Sequence, residues 1–444
     1  MSPTTSGDLM SLKRLEVAKR AQRDPEGRLQ SLAHLIDEDA LERSYRRLRK
    51  RAAVGVDGVT KGQYGEDLEG NLRDLHQRLK QQRYRHQPLR RVHVPKGDGQ
   101  TRQIGIAALE DKIVQGAVHE ILEVAYEPLF VEGSYGFRPG RSAHDALRAL
   151  LRAVDKGGKV GWILEADIAT FFDSIDRKQL MSMLEKRIAD KSLLRLIGKC
   201  LHVGVLDGEE YSDPDRGTPQ GSSLSPILGN VYLHHALDTW VEQEVKPRMQ
   251  GELVLIRYAD DVVLGFEHRG DAERVLAVLG KRLERFGLHL HPDKTRLLPF
   301  GRPPRGGGRG KDRNSETFDL LGFTWYWKRS RSGGWHAALK TRRGRMRRAI
   351  TSIDEYCRRN RHEPVAVQHR ALIVRLQGHY NYFGVNGNVQ SLEVLAFHAR
   401  RTWHKWLCRR SQKAYIPWER FNDVLRDFPL PKPRVCVQIW GSAS

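Results

Sequence analysis

Three aspartates have the spacing to do chemistry. Asp260 and Asp261 are adjacent in Tyr258-Ala259-Asp260-Asp261, within the stretch LVLIRYADDVVLGF at 253 to 266. Two apolar, β-branched runs around a short polar break predict paired strands and a tight turn. Asp167 ends a second apolar run, Val160 to Ala166, which predicts a buried strand. Adjacent carboxylates at the tip of an apolar hairpin are costly unless something neutralises them. An isolated Asp-Asp pair also suits an ordinary solvated turn. The third carboxylate decides between these readings. A strand ending in one acid and a hairpin tipped with two can converge in one sheet. Such a set holds two metal ions for an in-line displacement at phosphorus. Mg²⁺ is the expected ion, because it favours one or two protein carboxylates plus substrate phosphates.

Other elements are placed to serve that site. Residues 90 to 106, RRVHVPKGDGQTRQIGI, predict a β-hairpin with a Lys-Gly-Asp-Gly turn. Lys96 and Arg102 flank the turn and would project two cations over one site. In YGFRPGRSAHDALRALLR, 135 to 152, Ser142 is the expected N-cap of a helix from Ala143. Arg138 and Arg141 there are either phosphate contacts or solvated charges. Asp173 and Asp176 read as capping or solvated groups. The polar loop from Arg216 is expected to lead into a helix capped by Ser225, with Pro226 first. A glycine-bearing loop that opens a helix can bring its N–H groups close to a nucleotide. Residues 288 to 298, LHLHPDKTRLL, predict a strand and turn carrying Lys294.

Composition names the class of partner. Among 444 residues, 76 Lys and Arg face 54 Asp and Glu, a net charge of +22. A polyanion is the expected partner, and nucleic acid is the commonest. No apolar run reaches the roughly 20 residues that span a bilayer, and the N-terminus lacks the apolar stretch of a secretory signal. Cys200, Cys357, Cys408 and Cys436 form no Cys-x-x-Cys pair, so four buried or free thiols and a reducing cytoplasm are expected. Helical periodicity marks Leu109 to Ala125, Asp271 to Phe286, 364 to 383 and 391 to 410. In the last of these, Leu392, Leu395, Ala399, Trp403, Trp406 and Leu407 share a stripe that reads as core. From Lys340 the chain turns densely basic, with Arg342, Arg343, Arg345, Arg347 and Arg348 as candidate RNA contacts.

The order of these blocks resembles a group II intron-encoded reverse transcriptase with maturase activity, over roughly residues 50 to 430. The residues that carry the likeness are the Lys96/Arg102 hairpin, YGFRPGRS at 135 to 142, DIATFFDSID at 167 to 176, RGTPQGSSLSP at 216 to 226, YADD at 258 to 261, HPDKT at 291 to 295 and LLGF at 320 to 323. The resemblance implies an α+β right-hand polymerase with a palm β-sheet and a helical thumb. It divides the chain into a basic helical extension at 1–50, fingers at 51–160, palm at 161–327 and a thumb/maturase domain at 328–444.

It further implies that Asp167, Asp260 and Asp261, with the backbone of Ile168, bind two Mg²⁺ ions. Lys96 and Arg102 would neutralise the triphosphate, Gln220 would contact nucleotide or template, and Lys294 would approach the pyrophosphate. Phe172 would pack under the sugar and exclude a 2′-hydroxyl. The implied partners are an RNA template, a DNA primer, dNTPs and the group II intron RNA. The DNA-binding and endonuclease region of some family members is expected to be absent, which would favour a primer found elsewhere. Two alternatives stand beside this reading: an RNA-binding splicing cofactor with lapsed polymerase chemistry, and a related polymerase recruited to defence.

Overall fold

The computed structural model describes residues 12–97, 100–155, 157–207, 210–212, 217–218, 221–303, 316–330, 333–411 and 414–440. The strands among these are β1 (Leu89–Gly97), β2 (Gln100–Ile106), β3 (Trp162–Asp167), β4 (Val205–Asp207), β5 (Glu210–Ser212), β6 (Leu253–Tyr258), β7 (Asp261–Phe266), β8 (Arg296–Pro299), β9 (Phe318–Leu320), β10 (Phe323–Arg329) and β11 (Trp335–Thr341). With the helices between and after them they make an α+β fold of three small sheets, ordered β2-β1-β4-β5, β6-β7-β3-β8 and β11-β10-β9.

The second sheet is the frame. Its pairings are all antiparallel, and β3 lies inside it between β7 and β8. Successive side chains of a strand point to opposite faces, and here both faces are covered. Leu164, Leu253, Leu255, Val262, Leu264 and Phe266 join a core shared with the helix Leu109–Tyr126 and the N-terminal helices. Ile163, Ile256, Val263 and Leu298 join a second core with β9, β10, β11 and the C-terminal helices. Burial on both faces explains why β7 reads as a continuous apolar run rather than an alternating one.

The C-terminal stripe is core as expected. Leu392, Leu395, Ala399, Trp403 and Leu407 of the helix Val389–Leu407 are buried, while Trp406 lies at the margin and donates its indole N–H to Asp354 Oδ1 at 2.9 Å. Expected helix limits hold to within three residues: Leu109–Tyr126, Arg269–Glu284, Val365–Phe383 and Val389–Leu407. The basic N-terminal stretch divides into helices Leu12–Arg23 and Glu38–Arg47. Ser142 caps Ala143–Val154 in a reciprocal box with Asp145, and Asp176 caps Arg177–Arg187.

Two expectations are corrected. Ser225 is the first residue of its helix and Leu224 is the cap, with no side-chain cap bond. Pro226 suits either of the first two helical positions, so the motif is shifted by one. Arg138 is neither solvated nor free for phosphate. It is buried, its Nε and Nη2 hold Glu127, and Nη1 donates to the carbonyls of Val131 and Ser134 at 2.7 Å. A guanidinium with that many protein acceptors is a structural clamp.

Candidate active site

The β6–β7 hairpin closes through Ala259 and Asp260, with Tyr258 paired to Asp261. Ala259 has φ 56°, the left-handed backbone that tight hairpin turns require. The turn presents Asp260 at its tip and Asp261 as the first residue of β7. On β3, Asp167 is the register partner of Asp261. Directly paired residues on neighbouring strands point to the same face. Asp167 and Asp261 therefore share the face that carries Ile163 and Val263, the one covered by the C-terminal helices. Gly136 packs against the turn: a Cβ there would lie 2.3 Å from the Ala259 nitrogen.

Cations surround the acids. Lys294 Nζ is 2.8 Å from Asp167 Oδ2. The turn that bears it hangs from the end of β3, because His291 N–H donates to the Asp167 carbonyl at 2.7 Å and Ala169 N–H donates to His289 O at 2.8 Å. Arg102 on β2 and Lys294 both favour the charged form of Asp260. Arg345, from the helix Arg343–Arg359, and Lys294 do the same for Asp261. Burial acts the other way and raises the Asp260 pKa, with Asp167 adding to the rise. Asp261 is pushed up to about 6 by desolvation first, then by Asp260 and Asp167. Its edge is open to water, yet protein surrounds it closely on the remaining sides.

Asp167, Asp261 and Lys294 line a cavity of about 640 Å³ with Glu165, Arg296, Asp319, Arg342, Arg345 and Tyr382. Its far wall comes from the C-terminal region. Arg342 Nε pairs with Asp319 Oδ2 at 2.8 Å, and the Tyr382 hydroxyl donates to Leu321 O at 2.8 Å. Sequence reasoning missed Tyr382 and the closeness of Arg345 to the acids. Both lie on helices whose apolar pattern says nothing about an active site.

The remaining expected residues fall as follows. Phe172 is half-buried with its ring centroid 5.0 Å from that of Phe171, and its carbonyl accepts from Thr218 N–H at 2.8 Å. The polar loop is thus laid against the Phe172 segment at Thr218. At Gly221 (φ 109°) it meets β2, where a Cβ would lie 2.7 Å from Gly105 O. Gln220 lies between these points in the chain and outside the described residues. Lys96 sits at a bulge in β1, and its side chain is also outside them. Ile168 is buried and offers only its backbone carbonyl as a ligand. Arg342, Arg343, Arg345, Arg347 and Arg348 are exposed.

The donor set fits a hard divalent cation. Three carboxylates are crowded at one sheet end, and two of them have their proton affinity raised, by burial first and by their acidic neighbours second. Among the described residues no three acids, histidines or cysteines are placed closely enough to hold a metal ion as they stand. The Lys294 ammonium on Asp167 supplies part of the neutralisation. Also among the described residues, no helix is long and apolar enough to cross a membrane, and all four cysteines are free thiols, with Cys200 and Cys357 buried.

Residues 94–325 match the family model described as reverse transcriptase (RNA-dependent DNA polymerase), a span that contains all three aspartates. The chain is 33% identical to Protein YkfC of Escherichia coli K12 over 325 residues, 65% of this chain and 84% of that protein. It is 36% identical to the group II intron-encoded protein LtrA of Lactococcus lactis over 211 residues, 47% of this chain and 35% of LtrA. Similarity to nuclear intron maturase 2 of Arabidopsis thaliana is 29% over 177 residues, 31% of this chain and 24% of that protein. The chain thus spans about a third of LtrA and a quarter of the plant maturase.

Proposed function

From the premise that this chain belongs to the reverse transcriptase family, in its group II intron-encoded branch, we propose how its residues divide the work of copying RNA into DNA. The observation that carries the proposal is the register pairing of Asp167 with Asp261, beside Asp260 and under Lys294 and Arg102. Asp167, Asp260 and Asp261, with the Ile168 carbonyl, would hold two Mg²⁺ ions. Bound there, the ions would supply Lewis-acid stabilisation of charge on the primer 3′-oxygen and on the leaving pyrophosphate.

The protein groups do the positioning. Arg102 and Lys96 neutralise the triphosphate of the incoming dNTP. Phe172 lies beneath the sugar and leaves no room for a 2′-hydroxyl. Gln220 contacts nucleotide or template. Lys294 pairs with Asp167 before substrate arrives, then turns its ammonium toward the pyrophosphate. In the resulting division, residues 51–160 are fingers, 161–327 palm and 328–444 thumb. The exposed arginines from Arg342 to Arg348 track a phosphate backbone close to the cleft.

We further propose that the same basic surface binds a group II intron RNA, holds it for splicing, and does so in the cytoplasm. The similarity to the group II intron-encoded protein LtrA and to the plant intron maturase supports this reading, as does the net charge of +22. Two assays test the two halves. Extension of a DNA primer on an RNA template tests the polymerase. Splicing of the RNA transcribed from around the reading frame, with and without the protein, tests the maturase. Splicing that proceeds equally without protein at low Mg²⁺ would contradict the second half.

A further inference from the structure

Directly under the catalytic turn lies a fully buried ion pair. Arg257, the residue before Tyr258, and Asp238 both have side chains with 0% exposure. All five guanidinium N–H groups find acceptors. Nε donates to Asp238 Oδ1 at 2.7 Å and Nη2 to Asp238 Oδ2 at 2.6 Å. Nη2 also donates to Ser134 Oγ at 2.7 Å, and Nη1 to Asn230 Oδ1 at 2.9 Å. The last N–H reaches the Ala259 carbonyl at 3.1 Å.

That last bond has consequences for Asp260. The Ala259 carbonyl and the Asp260 N–H belong to one rigid peptide plane. The Asp260 N–H lies beside its own carboxylate and favours the charged form. Holding the carbonyl therefore fixes the plane, and the plane aims the carboxylate. The plane needs holding, because Ala259 is a non-glycine residue at φ 56°. Arg257 is itself held from both sides. Asp238 lies in a π-helical turn, His234–Asp238, that continues the helix Ser225–Leu233. The Arg257 backbone pairs with Gly133 and Tyr135 at 2.8 Å each. The Asn230 amide ties the same cluster to Gly136, whose backbone abuts Ala259.

A buried ion pair is a poor source of stability, since an apolar pair of similar volume often does as well or better. What an apolar pair cannot supply is a directed N–H to Ala259. We infer that Arg257, clamped by Asp238, is a positioning residue that sets the orientation of the Asp260 carboxylate through the Ala259–Asp260 peptide. The inference rests on the proposal that Asp260 is a metal-binding carboxylate of the polymerase.

The test compares steady-state primer extension by the wild type, Asp260→Asn, Arg257→Lys and the double variant Arg257→Met/Asp238→Leu, each with Mg²⁺ titrated. The double variant removes both charges, so it keeps the protein foldable where a single change strands a buried charge. The expected result for both Arg257 variants is a kcat lower by about 10²-fold, a dNTP KM close to wild type, and a Mg²⁺ midpoint several-fold higher, with the melting temperature of the double variant at or above wild type. A merely structural role would lower the melting temperature and leave the Mg²⁺ midpoint of the folded fraction where it was. A double variant that folds and polymerises with wild-type kcat and Mg²⁺ midpoint overturns the inference. If Asp260→Asn also polymerises normally, it is the metal-site proposal that has failed.

Discussion

Asp167 and Asp261 stand opposite each other as register partners at the ends of adjacent antiparallel strands. Like charges placed directly across a strand pair are destabilising. With Asp260 next to one of them, the sheet end is a liability to the metal-free fold. A bound divalent cation removes that liability, and so do changes that neutralise one acid.

The pH dependence of stability follows in sign. The Asp261 pKa is raised from the usual carboxylate range to about 6. A group raised in the folded state contributes stability that is present below its unfolded pKa and lost as pH rises through its folded pKa. In chelator at about pH 8, Asp261→Asn should therefore melt above wild type, and the gap should close toward about pH 4. Mg²⁺ should raise the wild-type melting temperature only above about pH 6, because ligand carboxylates must be ionised. Differential scanning calorimetry across this range checks both signs. A variant that melts at the wild-type temperature at every pH would show that the crowding is not felt.

Lys294 separates catalysis from stability. Its pair with Asp167 is half open to solvent, with the lysine side chain 57% exposed, and such pairs contribute about 0–1 kcal/mol. Lys294→Ala should leave the melting temperature nearly unchanged while single-turnover incorporation slows by about 10²-fold. Unaltered incorporation would remove Lys294 from the site.

Phe172 tests sugar selection. Its ring is braced by Phe171 and by the close approach of Gly229, where a Cβ would lie 3.2 Å from the Phe172 ring. Phe172→Ala should lower the preference for dNTP over rNTP by on the order of tenfold or more, measured as the ratio of kcat/KM values. An unchanged ratio would refute the steric role.

The exposed arginines at the start of the helix Arg343–Arg359 should act through counterion release. Replacing exposed Arg343, Arg347 and Arg348 by Ala should reduce the slope of log affinity against log salt for single-stranded RNA by about 2. An unaltered slope would place the RNA elsewhere on the basic surface.

Much of this site was legible because local pattern and chemistry agreed. Apolar runs broken at Asp167 and at Ala259–Asp260 gave the strands, the turn and the acids together. Ser142 and Asp176 were readable as caps because an N-cap is a local contact. What escaped was non-local. Arg138 reads in sequence as a phosphate contact or a solvated charge, but its acceptors, Glu127 and two carbonyls, are gathered only by the fold. Arg257 sits beside the motif and drew no attention, because its partners Ser134, Asn230 and Asp238 lie on other elements. Arg345 and Tyr382 reach the cavity only once the C-terminal helices dock on the sheet. Spacing along one element cannot report a contact between two.

The three aspartates are expected to form the metal site of an RNA-copying polymerase. Primer extension on an RNA template, with a DNA primer, dNTPs and Mg²⁺, tests it most directly when wild type is run beside Asp261→Ala. Wild type alone should extend the primer, with RNA binding retained by the variant. Extension by Asp261→Ala at the wild-type rate would contradict that expectation.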